Sequence, residues 1–169
     1  IETNSLEDIC RLAYKISTTH NNLSDYPKEE VEKAIIESQN PEIICRYAND
    51  FRNASNYIDM EKFADALIEL KDAKNIIKFA DLPKAPVDKL ADAIIEMNDP
   101  KSIYNFAYMI NKNPFHNYNE AVLDKLADAL IETKNTKYIT FMAQDINRCT
   151  VEKLSRAIIE LGSEKEIID

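Results

Sequence analysis

Glycine occurs once in this chain, at Gly162, and tryptophan does not occur at all. Glycine this scarce argues against β-hairpins, phosphate-cradling loops and tight turns with positive φ, so helix is the default element. Cysteine is sparse and odd in number: Cys10, Cys45 and Cys149 show no CxxC spacing and fit neither a disulfide framework nor a zinc site. Reduced, partly buried thiols point to a reducing, cytoplasmic location. The two histidines, His20 and His116, lack cysteine or carboxylate partners at ligand spacing. No serine, cysteine or histidine falls in a local nucleophile motif. The expectation is a protein that is not an enzyme and uses no metal and no cofactor. A basic excess is missing too: the net charge is −9, the wrong sign for a surface that neutralises phosphates. No apolar run approaches the roughly 20 residues of a membrane span.

What is present is repetition. With 45% hydrophobic and 30% charged residues among 169, the chain belongs with folded globular proteins. The phrase "KLADALIE" (Lys125–Glu132) returns as "KFADALIE" at Lys62, "KLADAIIE" at Lys89 and "KLSRAIIE" at Lys153, with a looser "EVEKAIIE" ending at Glu37. Aligned on Ala34, Ala66, Ala93, Ala129 and Ala157, the copies are spaced 32, 27, 36 and 28 residues apart. An isoleucine ten residues on recurs as Ile44, Ile76, Ile103, Ile139 and Ile167, and a second alanine as Ala48, Ala80, Ala107 and Ala143. All length variation therefore falls in one connection, after the second alanine. The first residues fit the register from mid-repeat, so the chain reads as part of a longer array. Repeats are expected at 28–59, 60–86, 87–122 and 123–150, with partial ones at 1–27 and 151–169.

Each repeat predicts two short helices. In the first helix of the third full repeat, Val87, Leu90, Ala91, Ala93, Ile94, Ile95 and Met97 cover about 200° of arc, wide enough for neighbours on two sides. The second helices start after Asn40, Asp72, Asp99, Asn135 and Ser163, all good N-caps, with Pro41 and Pro100 at the first helical position. This pattern resembles the helical-hairpin repeats of the TPR, HEAT and armadillo type, without the period or signature residues of any one of them. The fold class expected is all-α, an α-solenoid of ~27–36-residue helix-turn-helix repeats whose handedness stays open. The resemblance implies a binding scaffold whose specificity lies on exposed helix faces.

Two sets of residues are candidates for function. The glutamate closing the phrase never varies: Glu2, Glu37, Glu69, Glu96, Glu132 and Glu160. It is expected to fold across the turn and cap the second helix, so that Glu96→Gln costs roughly 0.5–2 kcal/mol. Acidic stripes precede it, for example Asp88, Asp92, Glu96 and Asp124, Asp128, Glu132, and Lys62, Lys89 and Lys125 are placed to offset their repulsion within each helix. The second helices instead vary on a fixed frame, as a recognition surface requires. One outward line reads Arg11, Arg46, Lys78, Asn105, Phe141; a neighbouring one contains Lys74, Lys101 and Lys137; a third holds Ile43, Asn75, Ser102 and Tyr138. Tyr138 and Phe141 are the sharpest features, an aromatic pair able to anchor a protein or peptide partner. Two alternatives stand beside this scaffold: a nucleic-acid-binding solenoid using the basic strip, and a repeat spacer within a larger multidomain protein.

Overall fold

The computed structural model describes residues 28–51, 58–113, 120–146 and 150–168, with the backbone alone at 150 and 163–168. Among these residues every regular element is an α-helix, as the composition predicts. The chain divides into two compact units, Ile1–Pro86 and Val87–Asp169.

The first unit holds α1 (Lys28–Glu37), α2 (Pro41–Asp50), α3 (Met60–Leu70) and α4 (Ala73–Ala80). Helix α2 touches α1, α3 and α4, and α3 touches α4. The core gathers Ile35, Ile44, Tyr47, Phe51, Phe63, Leu67, Ile76 and Phe79, each essentially without solvent exposure. The second unit holds α5 (Val87–Glu96), α6 (Pro100–Lys112), α7 (Glu120–Glu132), α8 (Thr136–Asp145) and α9 (Thr150–Ile168). Here α5 packs on α6 and α7, α6 on α7 and α8, and α9 on α7 and α8. Leu90, Ile94, Ile103, Phe106, Leu126, Leu130, Ile139 and Met142 fill its core. Each described anchor isoleucine is fully buried, and the alanines beside them are small enough to let helices approach.

The turn inside each hairpin corrects one expectation drawn from the scarcity of glycine. Gln39, Lys71, Asn98 and Lys134, each two residues past the repeated glutamate, adopt left-handed backbone with φ of 50°, 52°, 52° and 54°. Their amides bond back to Ile36, Ile68, Ile95 and Ile131 carbonyls at 2.9–3.1 Å, closing the end of the first helix. A side chain with a Cβ costs roughly 1–2 kcal/mol in this region, so the helix end and the cap that follows must hold it there. Lys134→Gly and Lys71→Gly are therefore each expected to stabilise their unit by about 0.5–1 kcal/mol, read as a rise in urea midpoint. An unchanged or lower midpoint would contradict the strain.

The cap follows at once. Asn40 Oδ1 accepts from the Glu42 and Ile43 amides at 3.1 and 3.2 Å. Asp72, Asp99 and Asn135 accept from Asn75, Ser102 and Tyr138 amides at 3.1, 3.0 and 3.4 Å. Pro41 and Pro100 open their helices as expected. The glutamates do not cap: Glu37, Glu69, Glu96 and Glu132 are exposed, and the Asx side chains already hold the amides they were to reach. In two turns a hydroxyl makes the joint instead. Ser38 and Thr133 donate to the Ile35 and Leu130 carbonyls at 2.6 Å, and each accepts from the amide of the following N-cap. The cost assigned to Glu96→Gln falls away with the cap. Glu160 closes no turn either, because α9 runs on to Ile168 through Gly162 and Ser163. The strong helix formers Glu164, Lys165 and Glu166 favour that continuation. Glu2 lies outside the described residues.

Candidate interaction surface

The outward faces of α6 and α8 carry the most concentrated chemistry of the second unit. Tyr104 and Tyr108 stand one helical turn apart on α6, and Tyr138 and Phe141 one turn apart on α8, so each pair shares a face. The Tyr104 ring lies 6.0, 5.9 and 5.8 Å from the rings of Tyr108, Tyr138 and Phe141. Tyr138 and Phe141 meet edge to face at 5.9 Å. These are the separations and tilts that aromatic quadrupoles favour.

Polar contacts fix the cluster from one side. Tyr104 donates its hydroxyl proton to Asp145 Oδ2 at 2.5 Å, and Asn111 Nδ2 donates to the Asp145 carbonyl at 3.3 Å. Burial, and then the Asp145 hydrogen bond, push the Tyr104 phenol up to about 12. The hydroxyl thus stays protonated and tied to α8, and Tyr104 serves as the pivot of the cluster. The other side faces solvent: Tyr108 is 40% and Phe141 38% exposed. The Lys137 ammonium stands 5.5 Å from the Tyr138 ring centre and 5.8 Å from that of Phe141, and Lys112 stands 5.6 Å from that of Tyr108. Lys101, Lys112 and Lys137 against Asp145 make this face basic on a chain of net charge −9.

The sequence-predicted positions separate accordingly. Tyr138, Phe141 and Lys137 come together, with Tyr138 half-buried, and Lys101 and Asn105 lie on α6 in the same unit. Arg46, Lys74 and Lys78 are exposed in the first unit, where Lys74 stands 3.6 Å from Glu42. Arg11, Cys10, Cys149, His20 and His116 lie outside the described residues. Asn75 is a correction. Expected on an outward line, it is 2% exposed, because its side chain folds back onto Asp72 Oδ2 at 3.0 Å. Its carbonyl accepts the Cys45 thiol at 3.2 Å. Tyr104 and Tyr108 were missed. Their register positions hold Cys45, Ile77 and Thr140, or Asn49, Asp81 and Gln144, in other repeats, so aromatic substitution at both in one repeat was the available signal.

The acidic stripes have partners of a different kind from those expected. Lys125 on α7 ion-pairs with Asp92 on α5, and Lys153 on α9 reaches Asp124 and Asp128 on α7 at 3.1 and 2.5 Å. In these two repeats the lysine therefore links a first helix to the preceding one. Asp128 and Asp124 hold the Lys153 ammonium above its ordinary pKa. These exposed pairs contribute a few tenths of a kcal/mol each and weaken with salt.

Among the described residues no group of three or more histidine, cysteine or carboxylate side chains is placed to hold a metal ion. No described helix is long and apolar enough to cross a membrane. In comparisons with known proteins, no family model, curated protein or solved structure matches this chain.

Proposed function

We propose that this chain is a non-enzymatic interaction scaffold, an α-solenoid of helical hairpins that holds a peptide or protein surface along its second helices. The observation that carries this reading is the Tyr104-centred cluster. Half-exposed aromatic rings on a rigid helix pair, held from below by a hydrogen bond and rimmed by lysines, have the make-up of an interface hot spot. Within the units, the contacts of α5 with α7 and α7 with α9, and of α2 with α4 and α6 with α8, are those a stacked arrangement requires. A nucleic-acid partner is disfavoured by the net charge and by the Lys74–Glu42 pair, which removes one member of the basic strip.

The test is a selection of randomised peptides on the immobilised chain, followed by affinity measurement on a Tyr108→Ala/Phe141→Ala variant. Both side chains are substantially exposed, so the variant is expected to keep its fold while its selected peptides bind at least about tenfold more weakly. Recovery only of peptides indifferent to both substitutions would reject the surface.

A further inference from the structure

The loosest copy of the repeated phrase differs from the others at a position that faces inward. Helices α3, α5 and α7 carry Ala64, Ala91 and Ala127 there, each fully buried; α1 carries Glu32, only 3% exposed. A carboxylate thus occupies a place where three first helices bury a methyl group and α9 carries an exposed Ser155.

Its neighbours compensate it incompletely. Glu32 Oε1 has no hydrogen-bond partner, and the nearest ammonium, that of Lys28 one turn earlier, stands at 3.9 Å. Burial raises the Glu32 pKa, while Lys28, the Asp59 backbone amide and Lys62 draw it back only partway. An unsatisfied buried oxygen of this kind is costly, and in native proteins it calls for an explanation.

The surroundings supply one. Glu32 lies on a cleft of about 470 Å³ lined by Glu29, Lys33, Ile36, Glu37 and Lys62. The two lysines of the lining each stand closest to another carboxylate, Lys33 3.7 Å from Glu37 and Lys62 3.8 Å from Asp59, and neither ion-pairs with Glu32. In the matching cleft of the second unit, lined by Asp128, Lys153 and Arg156 among others, Lys153 lies 2.5 Å from Asp128, whereas its register equivalent Lys62 leans towards Asp59. In the α1 cleft, Glu29 and Glu32 sit one helical turn apart beside the apolar wall of Ile36.

We infer that the α1 cleft is a binding site for a guanidinium on an aliphatic stem, the chemistry of an arginine side chain. Divalent metal is a poor fit, because calcium takes six to eight oxygen ligands and the described residues offer no such group. A guanidinium is planar, weakly hydrated and rich in donors, so it enters a desolvated carboxylate site more readily than an ammonium does. Its methylenes would lie along Ile36, and the low dielectric around Glu32 strengthens the attraction. This site is independent of the α6–α8 surface and of any partner found there.

The experiment titrates the full chain with N-acetyl-arginine amide, N-acetyl-lysine amide and N-acetyl-norleucine amide, followed by NMR shifts of the α1 amides. Saturable shifts with the arginine probe, weaker ones with lysine and none with norleucine are expected. Glu32→Ala places the residue that α3, α5 and α7 carry and Glu32→Gln keeps the shape, so at least one of the two is expected to stay folded. Either is expected to weaken arginine binding by at least about tenfold. The absence of saturation, equal binding of norleucine, or undiminished affinity in a folded Glu32 variant would each overturn the site.

Discussion

Phe63→Ala is expected to remove about 3–5 kcal/mol from the unfolding free energy of the first unit, the range for emptying a buried phenylalanine site. Phe63 is fully buried on α3, with its ring 5.4 Å from that of Tyr47, which in turn lies tilted against Phe51 at 4.7 Å. Tyr47 belongs to α2, the helix that touches the other three described helices of its unit. A cavity at Phe63 therefore removes support from the element that ties that unit together. Since a domain is stable by roughly 5–15 kcal/mol, the loss takes a third or more of the margin. Phe63→Leu places the side chain that Leu90 and Leu126 supply at the same register, and is expected to cost under about 1.5 kcal/mol. Urea titrations followed by far-ultraviolet circular dichroism separate the two. Alanine and leucine variants of equal stability would show that the ring does not pack as described.

Glu32→Ala is expected to work in the opposite direction, stabilising the first unit by about 1–3 kcal/mol at neutral pH, the cost range of an unsatisfied buried polar group. The pH dependence identifies the cause. The folded state holds the Glu32 proton more tightly than the unfolded chain, because burial outweighs the pull of Lys28, the Asp59 amide and Lys62. The penalty for ionising it is absent below the ordinary carboxylate value of 4.5, grows as pH rises past that value, and is complete above the raised folded value. The gain from alanine should shrink accordingly as the pH falls towards about 4.5. A gain that stays constant from neutral to acidic pH would assign it to helix propensity rather than to the buried charge. A variant that is more stable yet binds the arginine probe more weakly fits the usual tension between stability and function.

Helices, caps and core were legible because each rests on a local rule. Asn40, Asp72, Asp99 and Asn135 announce a cap by side-chain chemistry, and Ile44, Ile76, Ile103 and Ile139 announce a core by register. The turns were not legible, because scarcity of glycine does not mean scarcity of positive φ. Asparagine, glutamine and lysine take that backbone when a helix end and an adjacent cap both require it. The glutamate was misread for a related reason. Its invariance was visible, but an Asx residue three positions later already held the amides, and no sequence rule decides which of two carboxylates or amides wins.

The aromatic surface was half legible. Tyr138 and Phe141 share one helix, and helical spacing places them together. Tyr104 and Tyr108 come from the preceding repeat, and their approach depends on how α6 and α8 pack, which one helix's periodicity does not encode. Glu32 stands out in the sequence, since "EVEKAIIE" puts an acid where three of the other copies have alanine and one has serine. The unsatisfied oxygen and the cleft beside it emerge only from packing.

The hydrogen bond from Cys45 to the Asn75 carbonyl bears on reactivity as well as packing. Burial pushes the thiol up to about 12, against the ordinary value of 9.0. Near pH 8 only about one such thiol in ten thousand is the thiolate that alkylating or oxidising reagents attack. Closed, the first unit keeps this sulfur chemically silent; opened, it releases an ordinary cysteine. The rate at which Cys45 is modified is thus set by how often the helices around it part, and the residue acts as a clock for the breathing of its own core.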